Sequence, residues 1–282
     1  MQAVDHKGIS LMTETLGQPG DPAVVLVMGA TASMLGWPDD FCTALVERGL
    51  FVIRFDHRDT GGSTTLPPGE ATYAVEDMAG DVLAILDAYG LARAHVVGMS
   101  LGGYIAQMLT LKHPDRAASL VLIASEPLGW DGAPLPHISG AFLDHFAGLG
   151  TLDWTDDAAV TEFLLASERL SAGTAVPFDE QGQRSRIARV LARTDSPASM
   201  FNHAGLTLRE DWTGRFRDIA GPVSVIHGDE DPILPVANGR AIAEGIAGAR
   251  LLLLPGIGHE LPSPVLPLIA DEIAAQVRAA GA

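Results

Sequence analysis

Short runs that are apolar at nearly every position alternate along the chain with longer stretches whose apolar residues recur every three or four places. Ala23 to Met28, Phe51 to Phe55, His95 to Val97, Ala118 to Ala124, Val223 to His227 and Arg250 to Leu254 are of the first kind. Continuous β-branched and apolar runs of this length predict strands covered on both faces, as in a parallel sheet. Gly8 to Thr15 adds an early strand, closed by the turn residues Gly17-Gln18-Pro19-Gly20-Asp21. Of the second kind, Trp37-Pro38 opens a helix with Phe41, Leu45 and Val46 at helical spacing, stopped by Gly49. Val75 to Tyr89 carries Met78, Val82, Ile85, Leu86 and Tyr89 on one side, and Tyr104 to Lys112, Ala237 to Ile246 and Val265 to Ala280 predict three further helices. Strands alternating with helices predict one α/β fold with a mainly parallel sheet, helices lying on both faces.

After Glu126-Pro127 the rhythm changes. Up to about Phe216 the chain holds only short helical stretches, such as Ala158 to Leu170 and Gln183 to Arg193, among Gly, Pro and scattered aromatics. The expected division is a core made of residues 1–126 and 217–282, interrupted by a mostly helical lid over 127–216 that lies across the strand ends.

The chemistry is concentrated where strands end. The run Val96-Val97-Gly98-Met99-Ser100-Leu101-Gly102-Gly103 reads as strand, sharp turn and helix, and Gly98 to Gly102 fits the G-x-S-x-G nucleophile elbow. A serine in a strained turn needs neighbours without bulk, so that helix and strand can approach. Such a turn lifts the hydroxyl of Ser100 out of the fold and puts the Leu101 N–H at the positive end of the helix. A serine hydroxyl is a poor nucleophile until a base takes its proton, and that base needs an orienting acid. Two later strands end in the required residue types. Val223 to His227 leads into Gly228-Asp229-Glu230-Asp231-Pro232, and Arg250 to Leu254 leads into Pro255-Gly256-Ile257-Gly258-His259. Asp231, followed by the conformationally fixed Pro232, is the preferred acid, and Asp229 stays open as the second choice. His259 is the expected base. Of the other histidines, His113 reads as a helix C-terminal charge, and His57 is either a pocket residue or a structural one. An oxyanion hole requires two N–H donors; Leu101 is one, and Ala30, following the strand at Met28-Gly29, is the natural second.

Composition narrows the partners. The 282 residues are 47% hydrophobic, enough for a substantial core. A formal charge of -17 argues against a nucleic-acid backbone as ligand. The single cysteine, Cys42, rules out an internal disulfide and reads as a small hydrophobe on a helix. The Met1 to His6 stretch lacks a basic head and an apolar segment, and no run is long enough to span a bilayer, so a soluble, cytoplasmic chain without membrane partners is expected.

With Ser100, Asp231 and His259 in that order, the chain resembles the α/β-hydrolase superfamily along nearly its whole length. Within the superfamily it departs from a common His-Gly at Met28-Gly29, and from a common Asp-x-Arg-Gly-x-Gly at Asp56-His57-Arg58-Asp59-Thr60-Gly61. Those departures, with Leu35-Gly36-Trp37-Pro38 and Pro255 to Ser263, resemble the aclacinomycin methylesterase family of anthracycline biosynthesis. That resemblance implies hydrolysis of a carboxymethyl ester on an aromatic polyketide through an acyl-enzyme, with no cofactor and no metal. A flat aromatic substrate requires an apolar slot over Ser100, for which Trp130, Phe142, Phe146, Trp154, Met200 and Phe201 are the candidate walls. Two other classes stay open: a lactonase, C–C bond hydrolase or cofactor-free perhydrolase on the same three residues, and a ligand-binding protein that keeps the fold without turnover.

Overall fold

The computed structural model describes residues 1–281. Eight strands form one sheet: β1 (Gln2–His6), β2 (Ile9–Leu16), β3 (Ala23–Val27), β4 (Phe51–Phe55), β5 (Ala94–Met99), β6 (Ala117–Ile123), β7 (Val223–Gly228) and β8 (Arg250–Leu254). Their spatial order is β1-β2-β4-β3-β5-β6-β7-β8. The first two pairings, β1 with β2 and β2 with β4, are antiparallel; every other pair is parallel. Strand β1 has no counterpart in the hydropathy pattern, because Val4 is its only buried residue. It forms through local geometry instead. Lys7 and Gly8 both adopt positive φ, 50° and 81°, as a two-residue hairpin turn requires, and His6 then pairs with Ile9.

Helices α1 (Asp39–Val46), α2 (Val75–Ala88), α3 (Leu101–Lys112), α7 (Ala237–Gly245) and α8 (Leu266–Gly281) cover the sheet. Alternation along β3 shows how. Val24 and Leu26 pack with Phe41 and Leu45 of α1 and Ile269 and Ile273 of α8, whereas Val25 and Val27 face Val82 and Ile85 of α2 and Ile105 of α3. Both faces of β3 are therefore buried, and it reads as a continuous apolar run for that reason; the edge strand β8, expected to be covered likewise, is buried only at Leu254 because no strand pairs with its outer side.

Between β6 and β7 the chain forms α4 (Gly140–Phe146), α5 (Asp157–Ser171), α6 (Glu180–Leu191) and a 3₁₀ helix over Pro197–Gly205. The first of these was not anticipated from the sequence; it has seven residues, of which only Phe142 is buried. Among the described residues, no helix is long and apolar enough to cross a membrane.

The loop after β4 is locked to α2 by an ion pair inside the protein. Arg58 reaches Asp81 through two bonds, Nε to Oδ2 at 2.6 Å and Nη2 to Oδ1 at 2.7 Å, with both side chains buried. Removing one partner of such a pair strands a charge away from water. Asp81→Ala is expected to lower the unfolding free energy by about 3–5 kcal/mol, whereas Arg58→Met with Asp81→Leu loses markedly less, as measured by urea denaturation.

Candidate active site

Three loops at the carboxyl end of the parallel strands build the site, and the tightest lies between β5 and α3. Ser100 has φ 53° and ψ -122°, a conformation that an L-residue adopts only when its surroundings enforce it. Its N–H donates to Ile123 O at 2.9 Å, and Ser125 Oγ donates to Ser100 O at 3.0 Å. The Ser100 hydroxyl caps no helical N–H. Gly102 is required here by space, since a Cβ at that position would run into the Val27 carbonyl. Gly29 is the other crowded point, where a Cβ would stand 3.2 Å from Ser100 Cβ and 3.7 Å from its Oγ. The loop after β3 therefore runs directly beside the serine. Neither Ala30 nor Leu101 spends its N–H on a loop hydrogen bond among the described residues.

The second and third loops bring an acid and an imidazole together. His259 Nδ1 lies 2.7 Å from Asp231 Oδ2. The other carboxylate oxygen accepts the N–H groups of Ile233 and Leu234, each at 2.8 Å. Burial alone would push the Asp231 carboxyl up; the charge on His259 and the hydrogen bonds it accepts outweigh that and hold it well below the usual carboxylate range. His227 Nε2 stands 3.4 Å from Asp231 Oδ2, but at 2.6 Å from Leu234 O its hydrogen goes to that carbonyl. Since a carboxylate only accepts, a hydrogen of His259 sits on Nδ1, so that in the neutral ring Nε2 is the bare nitrogen. Asp229 has a different task. Its Oδ1 accepts the Gly256 N–H at 2.6 Å and braces the turn that leads to His259. No hydrogen bond joins Ser100 Oγ to His259 among the described residues; the side chains brought into contact are Asp231 and His259.

The helical segment is tied to both loops. Ser171 O, at the end of α5, accepts the His259 N–H at 2.8 Å; Gly173 N donates to Glu260 Oε1 at 2.8 Å, and Thr174 gives both its N–H and its hydroxyl to Glu230. Within the segment, Phe146 packs on Phe142 at 5.5 Å and on Phe201 at 6.2 Å between ring centroids, and Trp154 lies 5.5 Å from Phe201. Phe163, which composition did not single out, joins this cluster at 6.3 Å from Phe201. Phe142 and Met200 are buried. Trp130 stands apart, against Phe216 at 5.9 Å and under the Arg217 guanidinium.

His57 is enclosed. Its Nε2 lies 2.8 Å from Met28 O, and burial, followed by the neighbouring His203, pushes its pKa down to about 3. The imidazole is thus a neutral structural group. His203 carried no signal in the sequence; it reaches the same loop from the 3₁₀ helix.

A family model for the alpha/beta hydrolase fold matches residues 22–262. Rhodomycin D methylesterase DnrP of Streptomyces peucetius is 34% identical, with 98% of each chain covered. Rhodomycin D methylesterase DauP of Streptomyces sp. (strain C5) is 35% identical, with 96% of each covered. Among solved structures, an esterase (EaEST) from Exiguobacterium antarcticum superposes with a TM-score of 0.80 over 98% of both chains at 20% identity, a likeness of fold. With eight strands in this order, a serine at the elbow after β5, a bonded acid and imidazole after β7 and β8, and relatives matched from end to end, the chain belongs to the α/β-hydrolase fold family.

Proposed function

We propose that the protein is a serine carboxylesterase that hydrolyses the carboxymethyl ester of an anthracycline-like aromatic polyketide. The observation that carries the chemistry is the 2.7 Å contact between His259 Nδ1 and Asp231 Oδ2, in a protein whose strand β5, separated from β7 by β6, presents Ser100 on a strained turn. End-to-end similarity to two rhodomycin D methylesterases supports the substrate class.

In this reading Ser100 Oγ attacks the ester carbonyl as His259 Nε2 takes its proton. Serine–histidine contacts are commonly long in a free enzyme and close with substrate bound. The tetrahedral oxyanion is held by the N–H groups of Ala30 and Leu101. His259 then protonates the methoxy oxygen and methanol leaves. Water, deprotonated by the same imidazole, attacks the acyl-enzyme and releases the carboxylic acid and free Ser100. Asp231 fixes the tautomer and stabilises the imidazolium. Residues 127–216 serve as the lid, and the half-buried faces of Phe146, Trp154, Phe163 and Phe201 are its contribution to an apolar slot.

Mass spectrometry of an anthracycline methyl ester incubated with the enzyme is expected to show loss of the methyl group and release of methanol. Ser100→Ala should abolish that conversion, lowering kcat by ~10³-fold or more while leaving the fold intact; turnover close to the parent's would overturn the mechanism. Asp231→Asn should lower kcat by ~10³–10⁴-fold, because the amide favours the wrong tautomer of His259.

The pH dependence has a defined sign. Because the folded protein holds Asp231 ionised below its ordinary value of about 3.9, the unfolded chain takes up that proton first as the pH falls. The stabilising contribution of Asp231 is therefore present above about pH 4 and is lost on further acidification towards the folded value. Acid titration followed by circular dichroism should show the parent losing its stability advantage over Asp231→Asn below about pH 4.

A further inference from the structure

The loop that carries Ala30 is held at two points by buried imidazoles, one from the core and one from the segment between β6 and β7. On one side, His57 Nε2 lies 2.8 Å from Met28 O. On the other, the Thr31 N–H donates to His203 Nδ1 at 3.0 Å, while His203 Nε2 lies 2.8 Å from Arg58 O. A carbonyl only accepts, so Nε2 carries the hydrogen in both rings. That leaves His203 Nδ1 as a bare acceptor, the one form of the ring that can receive the Thr31 N–H. The two rings meet edge to face at 5.9 Å between centroids. Both are buried, and burial keeps His203 below the usual imidazole value, consistent with the neutral form that this bonding demands.

Thr31 needs such a hold. Its φ is 61°, a left-handed conformation that is unfavourable for a β-branched residue and persists only where contacts over-determine it. Its own Oγ1 donates to Ala30 O at 2.7 Å, which fixes the peptide between them. Ala30 thus lies between a pinned carbonyl at Met28 and a pinned N–H at Thr31.

We propose that His203 is a positioning residue for the oxyanion hole: by accepting the Thr31 N–H at Nδ1 it keeps the Ala30 N–H turned towards the carbonyl oxygen of the substrate. This rests on the reading of Ser100 and Ala30 given above. An oxyanion donor acts in the transition state more than in the ground state, so loosening it lowers kcat and leaves KM almost unchanged.

Two substitutions separate the nitrogens of the ring. His203→Gln reproduces the Nε2 donor and loses the Nδ1 acceptor. His203→Asn does the reverse, with its Oδ1 where Nδ1 stands. His203→Gln is expected to lower kcat by ~10- to 100-fold, part of the ~10²–10³ that a lost donor removes, with KM within about twofold. Affinity for an aryl trifluoromethyl ketone, which forms a tetrahedral adduct with the serine, should fall by a similar factor. His203→Asn should recover most of that loss. Equal losses in both variants, or parent-like kcat in a folded His203→Gln, would overturn the proposal. If His203→Gln does not fold, the parent protein still decides: uniformly ¹⁵N-labelled enzyme should show a nitrogen–nitrogen scalar coupling between the Thr31 amide and an unprotonated imidazole nitrogen, and its absence would overturn the proposal. Ser100→Ala, run beside these, tests the underlying reading by itself. If it retains activity the mechanism fails, whereas a dead Ser100→Ala with an unaffected His203→Gln rejects the role of His203 alone.

Discussion

Steric crowding at the turn after β5 is the constraint from which the rest of the site follows. The amino-terminal turn of α3 approaches the end of β3 so closely that Gly102 has no room for a side chain, and the next loop passes within van der Waals range of Ser100 at Gly29. Only a left-handed serine lets the chain reverse from strand into helix in that space. The strain is balanced by two bonds to the end of β6, Ile123 O accepting from Ser100 N and Ser125 Oγ donating to Ser100 O. The crowding that makes the turn costly also aims the hydroxyl outward and brings the Ala30 loop alongside it.

The acid on the other side obeys a related rule: a buried charge persists only when every lone pair that faces the protein is used. Asp231 meets it, with one oxygen on two backbone N–H groups and the other on His259. Asp229, two residues earlier, is exposed and spends one oxygen on the Gly256 N–H. Two of the three carboxylates in Asp229-Glu230-Asp231 therefore divide the work at His259. One orients the imidazole, and the other shapes the turn that delivers it.

Much of this was legible in the chain. Strands buried on both faces announce themselves as continuous apolar runs, and β3, β4, β5, β6 and β7 fall where those runs lie. The serine, the acid and the imidazole follow strands in a fixed order; of the two aspartates, Asp231 bonds His259 and Asp229 bonds the Gly256 N–H. What escaped has physical reasons. β1 is half-polar and is set by a two-residue turn, and α4 is too short for helical periodicity to register. Phe163 and His203 were invisible because their partners are far away in sequence: His203 bonds Thr31 across 172 positions, and no local pattern encodes such a pairing. His57 was ambiguous between pocket and scaffold until its burial and its Met28 partner were known.

The helical segment is more than a cover. Its α5 end holds the His259 backbone through Ser171 O, and its 3₁₀ helix holds Thr31 through His203, so the loops after β8 and β3 are braced from the same segment. Phe201, in the aromatic cluster, lies two residues before His203 on that short helix. One short helix therefore sets both a ring of the aromatic cluster and the imidazole that accepts the Thr31 N–H.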